Sequence, residues 1–357
     1  MSTINFGSTL TLDQAAKLTL ACGPTIRPLF VGEPGIGKSS MMGFFESQLG
    51  DAYNYAYVDC SNLDLGDVAM PVVDHATKTT RYYPNARFKL HEGKPVVIML
   101  DEFGKAPQPV QNMLHPMLES RNPRLGDVSL PEGSIVFLTS NMSSDSVGDN
   151  IKAHTLNRVT RVQVSKPDAE SWLHWAMDAG VHPVVMAWVR QFPHCMASYM
   201  DGDQNENPYI YNPKKFQTSY VSPRSLELAS RIVWQREQFD SDTLIAALRG
   251  TIGESGARDM EAFIAYQDEL PTRETVIANP MGAPLPTSAG ATVVLVFGLI
   301  ASTTKDNMTQ FMQYVGRLES EWQAVFGINL ARSNKQGVAF SNKAFTNWAR
   351  ENQDILG

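Results

Sequence analysis

Residues 30–41 read FVGEPGIGKSSM. Within them, Gly32-Glu33-Pro34-Gly35-Ile36-Gly37-Lys38-Ser39 satisfies the pattern GxxxxGK[ST]. Glycines let backbone N–H groups turn inward around an anion, and a helix that follows offers its positive N-terminus to the same charge. In such a loop Lys38 reaches the β/γ-phosphates and the Ser39 hydroxyl ligates magnesium. The alternative is a glycine-rich turn that binds nothing. Context decides against it: RPLFV (27–31) reads as a short strand, and KSSMMGFFESQLG (38–50) as a helix closed by Gly50.

Working outward, strand-like and helix-like segments alternate. TLTLDQAAKLTLA (9–21) opens on Thr11 with Gln14 three residues on, a capping box. AYNYAYVDC (52–60), KPVVIMLDEF (94–103), GSIVFLTSN (133–141) and TRVQV (160–164) supply further strands, and VQNMLHPMLES (110–120) has helical period. Continuous apolar runs indicate a parallel sheet covered on both faces, so residues 1–165 are expected to form a doubly wound α/β domain.

Beyond about residue 166 the segments turn helical, and all six tryptophans lie there: Trp172, Trp175, Trp188, Trp234, Trp322 and Trp348. They are expected in a helical core, together with Met308, Phe311, Met312, Val315 and Leu318, which recur at helical spacing. DGDQNENPYIYNPKK (201–215) reads as a surface loop, and the proline-rich 270–290 as a connection. The expected division is a nucleotide-binding domain to 165, an all-α lid over 166–270 and a helical extension over 271–357.

Composition bounds the partners. Thirty Lys and Arg stand against 37 Asp and Glu, a formal charge of -7. This balance weighs against a nucleic-acid binder. Cys22, Cys60 and Cys195 are odd in number and widely spaced, as reduced thiols are, with no zinc or disulfide pattern. The N-terminus lacks the basic and apolar regions of a signal peptide, and ATVVLVFGLIA (291–301) is too short to span a bilayer. A cytoplasmic protein with no membrane association is expected.

Two acids end the strand VVIMLD: Asp101 can hold a magnesium shell, and Glu102 can orient and deprotonate an attacking water. They would stand at the C-terminal edge of the sheet, where ligands of open α/β sheets sit. Alone the pair is weak; one strand–helix–strand unit after the glycine loop it implies hydrolysis rather than binding only. Asn141 ends IVFLTSN, where an amide can position the water or meet the γ-phosphate. His75 and His154 are isolated in polar loops and are assigned no role.

The chain resembles the AAA+ ATPases of the MoxR-like group, in the clade with an insert in helix 2. GEPGIGKSS resembles the Walker A motif of that family, and VVIMLDEFGKAPQPVQNMLHPMLESR its Walker B strand and following helix. FLTSN resembles sensor 1, LNRVTRV the arginine-finger segment and VSPRSLELA the sensor 2 helix. The matches keep family order through about residues 10–265; the extension matches only loosely.

The resemblance implies ATP and Mg²⁺ as ligands, with Gly32, Pro34, Gly35, Ile36, Gly37, Lys38, Ser39 and Ser40 on the nucleotide and Ser39 and Asp101 on the metal. It implies catalytic parts for Glu102, Asn141, Arg158 and Arg224. Arg158 matches the finger that reaches a neighbour's γ-phosphate, with Arg161 the runner-up, and Arg224 the lid arginine acting in its own chain. A guanidinium suits that task because the phosphoryl transition state spreads negative charge. A finger acting between subunits implies a homo-oligomeric ring, expected to be a hexamer. Residues 64–90 lie where the family inserts a hairpin that faces pore or partner, and VVDHATKTTRYY alternates around a polar turn as a hairpin does. Residues 142–154 match the position of a second insert, here short and polar.

The leading expectation is an ATPase ring that remodels or activates a protein partner, in this family often one with a von Willebrand factor A domain. A nucleic-acid-translocating motor is the alternative; a scaffold gated by slow hydrolysis is a third, against which Glu102 argues.

Overall fold

The computed structural model describes residues 9–142 and 151–356. The chain divides into two compact units, one ending at Lys166 and one beginning at Pro167.

In the first unit the strands are β1 (Pro28–Val31), β2 (Asn54–Asp59), β3 (Ala69–Asp74), β4 (Thr79–Pro84), β5 (Val96–Asp101), β6 (Arg124–Leu125), β7 (Val128–Ser129), β8 (Ile135–Ser140) and β9 (Thr160–Gln163). Five form one sheet in the order β2-β5-β8-β1-β9. Every pairing in it is parallel. Each sheet strand falls in a segment that the sequence marks as a strand; β1, β5 and β8 are buried at every residue, as strands covered on both faces are, while the edge strands β2 and β9 are partly exposed.

Alternation along the strands sorts the side chains onto two cores. Val97, Met99 and Phe137 pack against the helices Leu12–Cys22 and Met41–Leu49, with Phe45 edge-on to Phe137. Ile98, Leu100, Val136 and Leu138 face the other way, toward Phe103, Val110 and Leu114. The first helix carries the capping box of Thr11 and Gln14, and the second stops at Gly50, whose φ of 53° suits a residue without Cβ.

A buried arginine ties these layers. Arg27 donates to the carbonyls of Gly23, Pro24, Ile26, Met117 and Glu119, so backbone oxygens satisfy its guanidinium. Burial lowers its pKa.

The expected hairpin is present as β3 and β4, paired antiparallel with Met70 opposite Tyr83 and Val72 opposite Arg81. A second, unforeseen hairpin, β6–β7, precedes β8. Its tip holds the first: Tyr82 donates its N–H to Asp127 Oδ2 at 2.8 Å, and Asp127 donates its N–H to the Tyr82 carbonyl at 2.9 Å. Gly126 turns there with φ 57°, and a Cβ on it would come 2.4 Å from the Tyr82 oxygen, so only glycine fits. The stretch matched to a second insert, 142–154, lies largely outside the described residues, which omit 143–150.

The second unit is helical and has one apolar cluster, running from Trp172 to Ala349. Its helices include Ala169–Asp178, Pro183–Gln191, Pro223–Trp234, Ser241–Glu269, Ala289–Ser302, Met308–Val315 and Ser320–Arg332. The longest is two helical stretches broken at Gly253, which has φ 80°. Residues from both 166–270 and 271–357 share the cluster. The proline-rich connection contains a short helix, Arg273–Ala278, capped by Thr272. The apolar run at 291–301 is a buried helix, and among the described residues no helix is long and apolar enough to cross a membrane.

The tryptophans correct one expectation. Trp172 and Trp188 are buried, but Trp175 is 47% and Trp234 53% exposed. Trp234 ends its helix, donates its indole N–H to the Gly180 carbonyl and sets its ring edge-on to His182, so it covers the surface of the core rather than filling it.

Candidate active site

The glycine loop joins β1 to the helix Met41–Leu49 through a short turn of 3-10 helix, Lys38–Ser40. Gly35 and Gly37 have φ of 76° and 104°, the left-handed region that bends the loop back on itself. Gly32 is required for another reason: a Cβ there would lie 2.7 Å from the Val164 carbonyl. Ile36 anchors the loop by burying its side chain with Phe30 and Met41, and the Ser40 hydroxyl closes the turn on the Gly37 carbonyl at 2.6 Å. Pro34 lies half-buried between them.

Lys38 is buried, and its ammonium donates to the carbonyls of Gly32 and Glu33, each at 2.8 Å, and to Asn141 Oδ1 at 3.1 Å. Asn141 faces a second partner, with Nδ2 3.4 Å from Glu102 Oε1. One amide therefore bridges the loop lysine and the strand-end glutamate. Neighbouring parallel strands bring their C-terminal ends to one sheet edge, so the ends of β1, β5 and β8 meet there although 103 residues separate Lys38 from Asn141.

The paired acids have different surroundings. Asp101 is buried, and its carboxylate accepts three hydroxyls: Ser39 at 2.9 Å and Tyr57 at 2.7 Å on Oδ2, and Thr139 on Oδ1. Partial burial, then the hydrogen bond and charge of Asp101, push the Tyr57 phenol well above the ordinary tyrosine range. Glu102 is half-buried and adopts φ 52°, ψ 38°, a left-handed conformation for a residue with a side chain. Its N–H donates to Thr139 Oγ1 at 3.3 Å, and its Oε2 lies 2.7 Å from Lys105 Nζ. Left-handed backbone turns Glu102 off the line of β5, so adjacent acids serve different partners.

Ser39, Lys38, Asp101, Glu102 and Asn141 are thus in one hydrogen-bonded network. Sequence reasoning missed Tyr57, Thr139 and Lys105. Thr139 stood two residues before Asn141 in the quoted strand, yet its hydroxyl is informative only once β5 and β8 are paired.

The three arginines have surroundings of their own. Arg158 donates to Glu119 Oε1 and to the His154 carbonyl, both at 2.7 Å. Arg161 is an exposed residue of β9. Arg224 belongs to the second unit, where it is exposed in the first turn of Pro223–Trp234, a helix begun by the Ser222 capping box.

The donors fit a magnesium–nucleotide complex. Ser39 and Asp101 offer a hydroxyl and a carboxylate 2.9 Å apart, both hard oxygen ligands, beside a loop shaped for phosphate. Among the described residues no group of three or more His, Cys, Asp or Glu could hold a metal ion.

No family model matches the chain, and no curated protein matches it. Solved structures resemble it distantly. NtrX from Brucella abortus in complex with ATP is 12% identical over 99% of this chain and 69% of its own, with a TM-score of 0.36. Closed-state Hsp104 with ATPγS and FITC-casein is 15% identical over 71% of this chain and 42% of its own, at 0.37. A candidate ATPase from Cytophaga hutchinsonii is 13% identical over 68% of this chain and 82% of its own, at 0.34. Likenesses of this degree say nothing of activity; the site carries that question.

Proposed function

We propose that the chain is a Mg²⁺-dependent ATPase of the AAA+ type that works in a homo-oligomeric ring, a hexamer by its resemblance, and remodels or activates a protein partner. The observation that carries the ATPase reading is the bridge Lys38–Asn141–Glu102 beside the Ser39–Asp101 contact. It sets the Lys38 ammonium and the Glu102 carboxylate on the two ends of one amide.

In this reading the loop N–H groups and Lys38 hold the β- and γ-phosphates. Ser39 and Asp101 hold the magnesium ion, which when bound neutralises phosphate charge. Glu102 takes a proton from water as the water oxygen bonds the γ-phosphorus and the bond to the β-phosphate oxygen breaks, and Asn141 keeps Glu102 and water in line. Arg158 serves the neighbouring subunit's nucleotide, and Arg224 its own chain's.

A protein partner is favoured by the β3–β4 hairpin. Met70, Val72, Val73, Tyr82 and Tyr83 are each about half exposed there, on both faces. Pro71 removes an N–H from the outer edge of β3, and Asp127 occupies the outer edge of β4 at Tyr82. Side chains rather than backbone are therefore what the hairpin offers. By the resemblance the partner carries a von Willebrand factor A domain, and any metal ion in it is the partner's own. The cytoplasm is the proposed location.

The test is Glu102→Gln. Turnover is expected to fall at least about a hundredfold while nucleotide binding survives. Unchanged turnover refutes the assignment. The same variant, loaded with ATP, is the bait for the partner; strong stimulation of the wild type by single-stranded DNA or RNA would instead favour the motor reading.

A further inference from the structure

We propose that Tyr57 is a positioning residue of the metal site: its phenol fixes the Asp101 carboxylate and so sets the Mg²⁺ concentration at which nucleotide is held. The inference rests on the proposed ATPase site and deepens it.

Strand register brings the two together. Tyr57 stands opposite Met99 and Asp59 opposite Asp101, so in this parallel pair Tyr57 lies diagonal to Asp101 on the same sheet face. A diagonal neighbour is within reach of an aromatic side chain, and the hydroxyl closes to 2.7 Å on Asp101 Oδ2. A packing role explains this tyrosine poorly. β2 is the edge strand, and Tyr57 is 53% exposed, so its ring buries little apolar surface. What is specifically placed is its oxygen.

That oxygen acts where orientation matters. Ser39 and Tyr57 converge on Oδ2 while Thr139 holds Oδ1, so the carboxylate is gripped at both oxygens. Ser39 is itself an expected metal ligand. Once its oxygen serves an ion, its part in holding Asp101 is shared with that task, and among the described residues Tyr57 is the remaining donor on Oδ2. Removing such a partner of a ligating carboxylate typically costs about tenfold or more in metal affinity.

Tyr57→Phe deletes the hydroxyl and keeps the ring. The measurement is binding of a fluorescent, non-hydrolysable ATP analogue against free Mg²⁺, with Mn²⁺ binding by electron paramagnetic resonance as a second readout. The expected result is a midpoint raised about tenfold for both ions. Analogue affinity in EDTA and thermal midpoint should match wild type. Equal midpoints in wild type and Tyr57→Phe overturn the role of Tyr57 alone. Losses in EDTA and in thermal stability as large as the metal effect make Tyr57 a structural residue and overturn it too. A wild-type protein whose analogue binding ignores Mg²⁺, with Ser39→Ala indistinguishable from it, overturns the underlying site as well.

Discussion

Lys105 lies 2.7 Å from Glu102, three residues along the turn that leaves β5, and forms an ion pair with the proposed catalytic base. Both side chains are about one-third exposed, so solvent screens the pair to about 0.5 kcal/mol. Releasing Glu102 toward water therefore costs little. Lys105→Met is expected to raise steady-state turnover by about two- to threefold and to leave nucleotide affinity unchanged. A loss beyond about tenfold would move Lys105 from restraining the base into the reaction itself.

Arg158 is held by Glu119, whose own carbonyl accepts from the buried Arg27. The Arg158 side chain is thereby anchored within its own chain. If it acts on a neighbour, Arg158→Ala should cut turnover by about a thousandfold, and mixing with Lys38→Ala subunits should restore part of it. Arg161→Ala should stay within about threefold of wild type. Rescue by mixing seen for Arg161→Ala and not for Arg158→Ala would transfer the assignment to Arg161.

His182 begins the helix Pro183–Gln191, and its unprotonated Nδ1 accepts the Val184 N–H at 3.2 Å. Burial first, and nearby Arg236 second, lower its pKa from 6.5 to about 4. The unfolded chain thus binds the proton that the folded chain refuses between those values. Stability from this residue is complete above about pH 6.5 and is lost as pH falls toward 4, on the order of 2 kcal/mol by pH 5. Denaturant melts should show it, and His182→Asn, which keeps a capping acceptor, should flatten that dependence. An equally steep dependence in the variant would place the titration elsewhere.

The sequence by itself determined what depends on neighbours along the chain. Apolar runs marked β1, β5 and β8 because a strand covered on both faces needs them, and the shorter segments of β2 and β9 read as strands beside them. The glycine loop, Lys38, Ser39 and the adjacent acids were legible because phosphate binding is a local backbone shape. Alternation around a polar turn foretold β3–β4, but β6–β7, with two residues per strand, leaves no such trace.

Only the tertiary structure decided how those pieces act on one another. Tyr57 reaches Asp101 across 44 residues and Thr139 across 38, through strand register that no local pattern encodes. The same holds for which tryptophans are buried: Trp172 and Trp175 share a helix that packs on Pro183–Gln191, yet only Trp172 is covered. Residue type fixed which groups could bind phosphate or a hard cation; the parallel sheet, by drawing distant strand ends to one edge, fixed which of them meet.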